Sequence, residues 1–248
     1  MSKKILLTIL IVGIISCSKH NPCDDLVGGV YQFPELPENH GMSHDEIHQF
    51  WDLPADIAEC ISTEGLIETC LNYPDLRLIM AGSNPQSGYD NLVNARFRGT
   101  RELETRPDRA TCLLKKYLAV DPLGYDPNWE PVEIGHYLFS IYNLEIIFSQ
   151  QANLEPLTNH EIIELLEAAI SIYEERKGDL NYSLFGLECT TTLLGRLMLQ
   201  EKYEPFINAY EENYWVRELI KYYGPTNLET TELVITLSEN FLNQLKNY

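Results

Sequence analysis

Two histidines four residues apart, His44 and His48, have the spacing of metal ligands on one face of a helix. Both imidazoles could therefore bind one zinc ion. Glu46 follows the first histidine by two residues and points about 200° away around the helix, so the segment is not an HExxH motif. A third ligand could come from His40 or from elsewhere in the chain. The alternative is a plain helix start, in which Ser43 is the N-cap and the helix dipole favours the acidic residues that follow.

A second group of chemically active residues is a cluster of arginines, namely Arg96, Arg98, Arg101 and Arg106. Residues 91–116 contain seven basic and three acidic side chains, which gives a local charge of +4. Such a cluster could bind an acidic partner protein or a sulfated or phosphorylated glycan. The alternative is pairing within the protein, because Glu102 lies four residues from both Arg98 and Arg106.

The third group is aromatic and consists of Tyr203, Phe206, Tyr210 and Tyr214, at spacings of three, four and four residues. Aromatic faces stack on sugars and on peptides, so a stripe of this kind predicts a glycan-binding or peptide-binding surface. The alternative is that the stripe belongs to the hydrophobic core, because the same spacing is typical of the buried face of an amphipathic helix.

Sequence motifs for catalysis and for cofactors are absent. The chain has no GxSxG nucleophile elbow, no P-loop and no GxGxxG fingerprint, and no histidine lies close in sequence to Cys189. We therefore predict no cofactor and favour a protein that is not an enzyme. A hydrolase stays open as a weaker alternative, because the paired carboxylates of glycosidases leave no local pattern.

The N-terminus has the pattern of a secretory signal. Lys3 and Lys4 precede an apolar run, Ile5–Ile15, which is too short to span a bilayer. The run ends at Ser16-Cys17, and residues 1–17 resemble the signal segment and lipobox of bacterial lipoproteins. This resemblance implies that Cys17 becomes the acylated first residue of the mature chain. Ordinary cleavage that leaves a free Cys17 is the alternative.

The charge of the chain limits the choice of partners. The signal segment 1–17 contains two lysines and no acid, so the mature chain keeps 16 basic and 37 acidic side chains and a formal charge of −21. Outside the basic segment at 91–116, the mature chain carries −25. A protein of this sign is repelled by nucleic acid and by anionic lipid headgroups. The expected membrane contact is therefore the N-terminal lipid alone, at the bacterial cell envelope outside the cytoplasm, on the outer membrane or the cell surface.

Helix signals dominate the remainder of the chain. Capping boxes are predicted at Ser43-x-x-Glu46, Thr158-x-x-Glu161 and Thr226-x-x-Glu229, and apolar residues follow at intervals of three and four. Short connectors at 178–181 and 223–226 favour antiparallel neighbours. We predict a flexible tether over 18–41 and one all-α domain over 42–248. Its helical hairpins would stack into an irregular superhelix of HEAT or armadillo shape, with a break near 121–127 that could divide it into halves.

Five cysteines remain after Cys17, namely Cys23, Cys60, Cys70, Cys112 and Cys189. An odd number gives no complete disulfide framework. A bridge such as Cys60 to Cys70 is permitted outside the cytoplasm, and most of the five are expected to be small buried apolar side chains.

Part of the chain resembles a family. The segments LPADI (53–57), STEGLIETCLNYP (62–74) and LLKKY (113–117) resemble an uncharacterised group of secreted proteins and lipoproteins from Bacteroidota. The resemblance covers about residues 53–120 and implies a helical extracytoplasmic protein without known catalytic residues. Together these observations favour an interaction or accessory module of an envelope complex. A glycan-binding or peptide-binding lipoprotein is the alternative.

Overall fold

The computed structural model describes residues 21–38 and 41–247, and within these ranges the chain forms helices and no β-sheet. The predicted all-α fold class is therefore confirmed. The α-helices are α1 His44–Phe50, α2 Ala55–Cys60, α3 Thr63–Leu71, α4 Pro85–Gly88, α5 Arg98–Leu103, α6 Arg109–Leu118, α7 Pro131–Phe148, α8 Gln151–Leu154, α9 Asn159–Lys177, α10 Leu184–Gln200, α11 Glu204–Glu212, α12 Tyr214–Tyr222 and α13 Leu228–Lys246. Two 3-10 helices, Pro22–Asp25 and Leu76–Ala81, and a π-helix, Tyr89–Asn94, complete the secondary structure of the described residues. None of the helices in this part of the chain combines the length and the hydropathy that a membrane span requires.

Side-chain caps fix several of the helix starts. The predicted capping boxes at Ser43 and at Thr158 are both formed. The third prediction is wrong, because α13 is capped by Asn227, one residue after Thr226. The amide of Thr226 instead donates to the carboxylate of Glu188 at 2.8 Å, which leaves the cap to Asn227, one of the strongest N-cap residue types.

Helix α10 lies at the centre of the C-terminal half. It packs against α7, α9, α12 and α13. The antiparallel arrangement of α9 and α10 that their short connector favours stays a prediction. Two glycines of α10 allow this close packing. A Cβ atom at Gly195 would lie 2.2 Å from Ile220 Cδ1, and one at Gly186 would lie 2.7 Å from Tyr142 Oη. The superhelical shape of the stack stays a prediction.

The segment at 121–127 is tied to the α9–α10 connector. Tyr125 Oη donates to the carboxylate of Asp179, and Tyr182 Oη donates to the carbonyl of Pro122 at 2.5 Å. The buried apolar side chains on both sides of this segment belong to one core that extends from Trp51 to Phe241.

The N-terminal segment differs from the prediction of a flexible tether over 18–41. Within residues 21–38, Cys23 forms a disulfide with Cys60, the ring of Phe33 lies 5.8 Å from that of Tyr73, and Trp51 Nε1 donates to the carbonyl of Pro34 at 2.9 Å. The aromatic side chains of this segment bury apolar surface that a free tether would leave in water. Residues 21–38 are therefore part of the packed domain.

The disulfide pairs Cys60 with Cys23 and not with Cys70, a pairing that the sequence had left open. Cys70 lies in the core, where its thiol is free. Cys112 and Cys189 are likewise free and buried, as expected for small apolar side chains.

A completely buried ion pair joins α7 to α9. Arg176 Nη1 donates to both carboxylate oxygens of Glu145, at 2.8 and 2.9 Å, and both side chains are completely buried. Tyr117 of α6 donates to Glu145 at 3.0 Å, and Thr190 of α10 donates to it at 2.9 Å. Four helices therefore meet at one ion pair, with the guanidinium 5.2 Å from the ring centre of Tyr182.

A second buried carboxylate, Glu188, links α10 to the segment before α13. Its side chain accepts the hydrogen bond from Thr226, and the residue is 5% exposed. Burial raises the pKa of the Glu188 carboxyl to about 7, against the opposing effect of that hydrogen bond. The folded protein therefore favours the protonated form of Glu188 more strongly than the unfolded chain does.

We expect Arg176→Met to lower the free energy of unfolding by about 3–5 kcal/mol, because Glu145 is left buried without its counter-charge. The double variant Glu145→Leu, Arg176→Met should recover most of that loss, since it removes both charges from the interior. Urea titration of the three proteins measures the effect. A double variant that is less stable than Arg176→Met would contradict the argument.

The raised pKa of Glu188 predicts a pH effect with a defined sign. The stabilisation from the protonated form is complete below the carboxyl's ordinary pKa and is lost as the pH rises through about 7. Between pH 5 and pH 8, Glu188→Gln should therefore gain roughly 2 kcal/mol of stability relative to the parent protein. Urea unfolding at both pH values measures this difference, and Glu204→Gln, at an exposed position, is the matched control. Equal pH dependence in all three proteins would show the prediction to be wrong.

Candidate functional site

Two of the four predicted contact arginines, Arg98 and Arg106, donate to backbone carbonyls of residues 53–61. Arg98 Nη1 donates to the carbonyl of Leu53 at 2.8 Å. Arg106 Nη2 and Nη1 donate to the carbonyls of Ala58 and Ile61, at 2.5 and 3.2 Å. The last two acceptors lie at the C-terminal end of α2, where backbone carbonyls lack helical partners and where the helix dipole favours a cation. Arg98 and Arg106 therefore hold α2 in place.

The side chains of Arg96 and Arg98 are exposed to a similar extent, 36% and 40%, and Arg101 is also exposed. Arg96 Nη1 lies 3.4 Å from the carboxylate of Asp45, and Arg101 Nη1 donates to the carbonyl of Asn94 at 2.8 Å. The structure therefore does not gather the four guanidinium groups into one free surface. Of the two pairings with Glu102 that the spacing allowed, the one with Arg106 forms, at 2.9 Å.

The two histidines of α1 have different surroundings. His44 is exposed, whereas His48 is buried, and its Nδ1 lies 3.1 Å from Tyr73 Oη and 3.3 Å from the carboxylate of Asp75. Burial lowers the pKa of His48, and the charge of Asp75 partly opposes this. Among residues 21–38 and 41–247, no group of three or more His, Cys, Asp or Glu side chains is placed to hold a metal ion. The possible third ligand, His40, lies outside the described residues, as does the predicted lipidation site, Cys17.

The aromatic stripe is divided by the end of α11. Tyr203 stacks on Phe241 at 4.7 Å between ring centres, and Phe206 is completely buried, so both belong to the core. Tyr214 begins α12 and is 54% exposed. Tyr210 is half-buried and lines a cleft between α8, α10, α11 and α12. The four rings therefore do not form the continuous binding face that the spacing predicted.

A groove of about 450 Å³ lies beside the N-terminal half of α7. Met80 and Phe139 line it and are 46% and 43% exposed, while Tyr73 and Leu76 line it from the core. We name it the α7 groove. None of the described residues that line the α7 groove is acidic, and Arg77 and His136 supply its basic groups.

The sequence contained one signal for the α7 groove. A helix that is apolar on all sides is normally buried on all sides. In α7 the second half follows this rule, because residues 144–148 are all buried, whereas Val132 in the first half is 63% exposed. The other side of the groove comes from residues 71–80, which no local pattern connects to α7.

No protein-family model, no curated protein and no solved structure matches this chain. The candidate sites are therefore assigned from their chemistry alone.

The contacts of Arg106 and Arg101 predict that their substitution lowers the free energy of unfolding by different amounts. Arg106→Ala should lower the free energy of unfolding by about 1–3 kcal/mol, because it leaves the carbonyls of Ala58 and Ile61 without their donors. Arg101→Ala, at an exposed position, should change it by less than about 0.5 kcal/mol. Urea unfolding of both variants tests this. Equal losses in the two variants would contradict the inward role of Arg106.

Proposed function

We propose that this chain is a lipid-anchored interaction module of a bacterial cell-envelope complex, and that the α7 groove is its contact surface. The observation that carries the proposal is the pair of large apolar side chains, Met80 and Phe139, exposed at a groove that contains no carboxylate. Exposed apolar surface that is concave and bordered by polar groups is typical of protein–protein contact sites.

The charges around the α7 groove indicate the chemistry of the partner. The chain contains 37 acidic and 18 basic residues, so most of its surface repels an acidic protein. Arg77 has 79% of its side chain exposed and approaches the buried Asp75 only at 3.9 Å, which leaves the guanidinium accessible. An apolar segment with a neighbouring acidic residue would fit this site, because its side chains would enter the groove while its carboxylate meets Arg77.

The anchor would hold this surface near the membrane. Cys17, the predicted acylation site, precedes Cys23 by six residues, and the disulfide ties Cys23 to α2. Six residues reach at most about 21 Å, so an acylated chain would keep the domain close to the bilayer. A fixed height above the membrane favours a partner that is itself membrane-bound. The exposed Arg96 and Arg101 are proposed as secondary contacts.

A photocrosslinker in place of Phe139, in the lipidated protein in its native membrane, tests the proposal. We expect a crosslink to an apolar segment with an acidic residue, and we expect Met80→Glu to reduce its yield at least tenfold. The same crosslinker in place of Leu180, which is fully exposed elsewhere, is the matched control. No crosslink at position 139, equal yield at position 180, or capture of a basic segment would overturn the proposal.

A further inference from the structure

The cleft lined by Tyr210 has the features of a ligand site and is separate from the residues of the α7 groove. Its volume is about 430 Å³, within the range of small-molecule sites. Residues from α8, α10, α11 and α12 line it, together with Gln86 of α4. We name it the polar cleft.

Arg196 forms a rigid part of the wall of the polar cleft. Its Nε donates to the carbonyl of Ile220 at 2.9 Å, and its Nη2 donates to Gln86 Oε1 at 2.7 Å and to the carbonyl of Lys221 at 3.2 Å. Its Nη1 lies 3.4 Å from Tyr223 Oη, and the guanidinium lies 4.8 Å from the centre of that ring. With its donors engaged in this way, Arg196 positions the wall and adds positive charge.

Several other polar groups at the polar cleft have no hydrogen-bond partner among the described residues. Gln200 Oε1 is buried and accepts no hydrogen bond. Gln151, Tyr210 and Lys221 make no side-chain hydrogen bond or ion pair with another described residue. Because a buried acceptor without a donor destabilises the folded state, Gln200 favours a bound group that carries a hydroxyl or amide hydrogen.

The side chains that line the polar cleft also favour a negatively charged ligand. Arg196 and Lys221 line it, and none of the described lining residues is a carboxylate, although the chain has 37 acidic residues. The carboxylate of Asp90, which is not part of the lining, accepts a hydrogen bond from Gln86 Nε2 at 2.8 Å. An anionic group is therefore attracted to this cleft and repelled by most of the remaining surface. The ring of Tyr210 and the side chains of Leu199 and Ile220 add apolar surface for the C–H face of a ligand.

From these groups we propose that the polar cleft binds a short glycan that contains uronic acid. Amide side chains such as those of Gln151 and Gln200 can exchange hydrogen bonds with sugar hydroxyls, and Lys221 can pair with the sugar carboxylate. An acidic peptide would satisfy Lys221 but would leave the amide groups with fewer donors and acceptors to meet.

Isothermal titration of the mature, lipidated protein in detergent tests this assignment. The probes are tetragalacturonate, neutral maltotetraose and tetraglutamate. We expect tetragalacturonate to bind at least tenfold more tightly than either of the other two. No saturable binding of tetragalacturonate, or equal binding of tetraglutamate, would overturn the proposal, the latter because it would show that charge alone accounts for the affinity.

A substitution at Gln200 separates ligand binding from folding. Gln200→Met removes the unpaired acceptor at similar volume, so thermal stability without ligand should stay equal or increase while tetragalacturonate binding weakens at least fivefold. Gln244→Met, at an exposed position of α13, is the matched control and should leave both quantities unchanged. Lys221→Ala should reduce the preference for tetragalacturonate over maltotetraose. Unchanged binding in both Gln200→Met and Lys221→Ala would place any binding elsewhere and overturn the assignment.

Discussion

The buried pair of Arg176 and Glu145 is the constraint on which the arrangement of the helices depends. Two charges removed from water must meet each other in good geometry, because their desolvation is otherwise too costly. Arg176 Nη1 meets this condition by contacting both oxygens of Glu145, with added contacts from α6 and α10. Nε and Nη2 of the same guanidinium are buried without a hydrogen-bond partner. The pair therefore fixes the second half of α7 inside the protein. The first half of the same helix extends past the core, which is how Phe139 comes to lie at the surface.

Most of the other arginines also connect segments of the chain, through hydrogen bonds to backbone carbonyls rather than through buried ion pairs. The chain has only 18 lysine and arginine residues, and several of the arginines donate to backbone carbonyls of neighbouring segments. Arg106 holds the end of α2, Arg109 donates to the carbonyl of Ala152 at 2.9 Å, and Arg196 joins α10 to α12. A guanidinium suits this role because its five donors can reach several carbonyls at once. Because these guanidinium groups are held against backbone carbonyls, they offset less of the negative surface charge. The surface is therefore more acidic than the composition alone implies.

Local signals in the sequence determined what could be predicted. The all-α class and the helix starts at Ser43 and Thr158 follow from spacing and capping, which depend on residues within one turn. Predictions that needed distant contacts were less successful. The spacing of Tyr203 to Tyr214 suggested one helical face, but α11 ends at Glu212, and the extended backbone of Asn213 turns the chain before Tyr214. The partner of Cys60 was also out of reach, because Cys23 lies 37 residues away in a segment whose proline and glycine content suggested a tether.

The candidate sites share a property that no local motif encodes. Residues 71–80 meet α7 at one site, and residues 86, 196 and 221 meet at the other, so each lining is created only by the fold. In both linings the described residues include basic side chains and no carboxylate, on a chain with twice as many acids as bases. Repulsion from the remaining surface lowers the affinity of an anionic group everywhere else, so these two regions need little intrinsic attraction to be selective. Because surface charges are screened over about 8–10 Å at physiological salt, this selectivity acts at short range and depends on the charges that line each site rather than on the net charge.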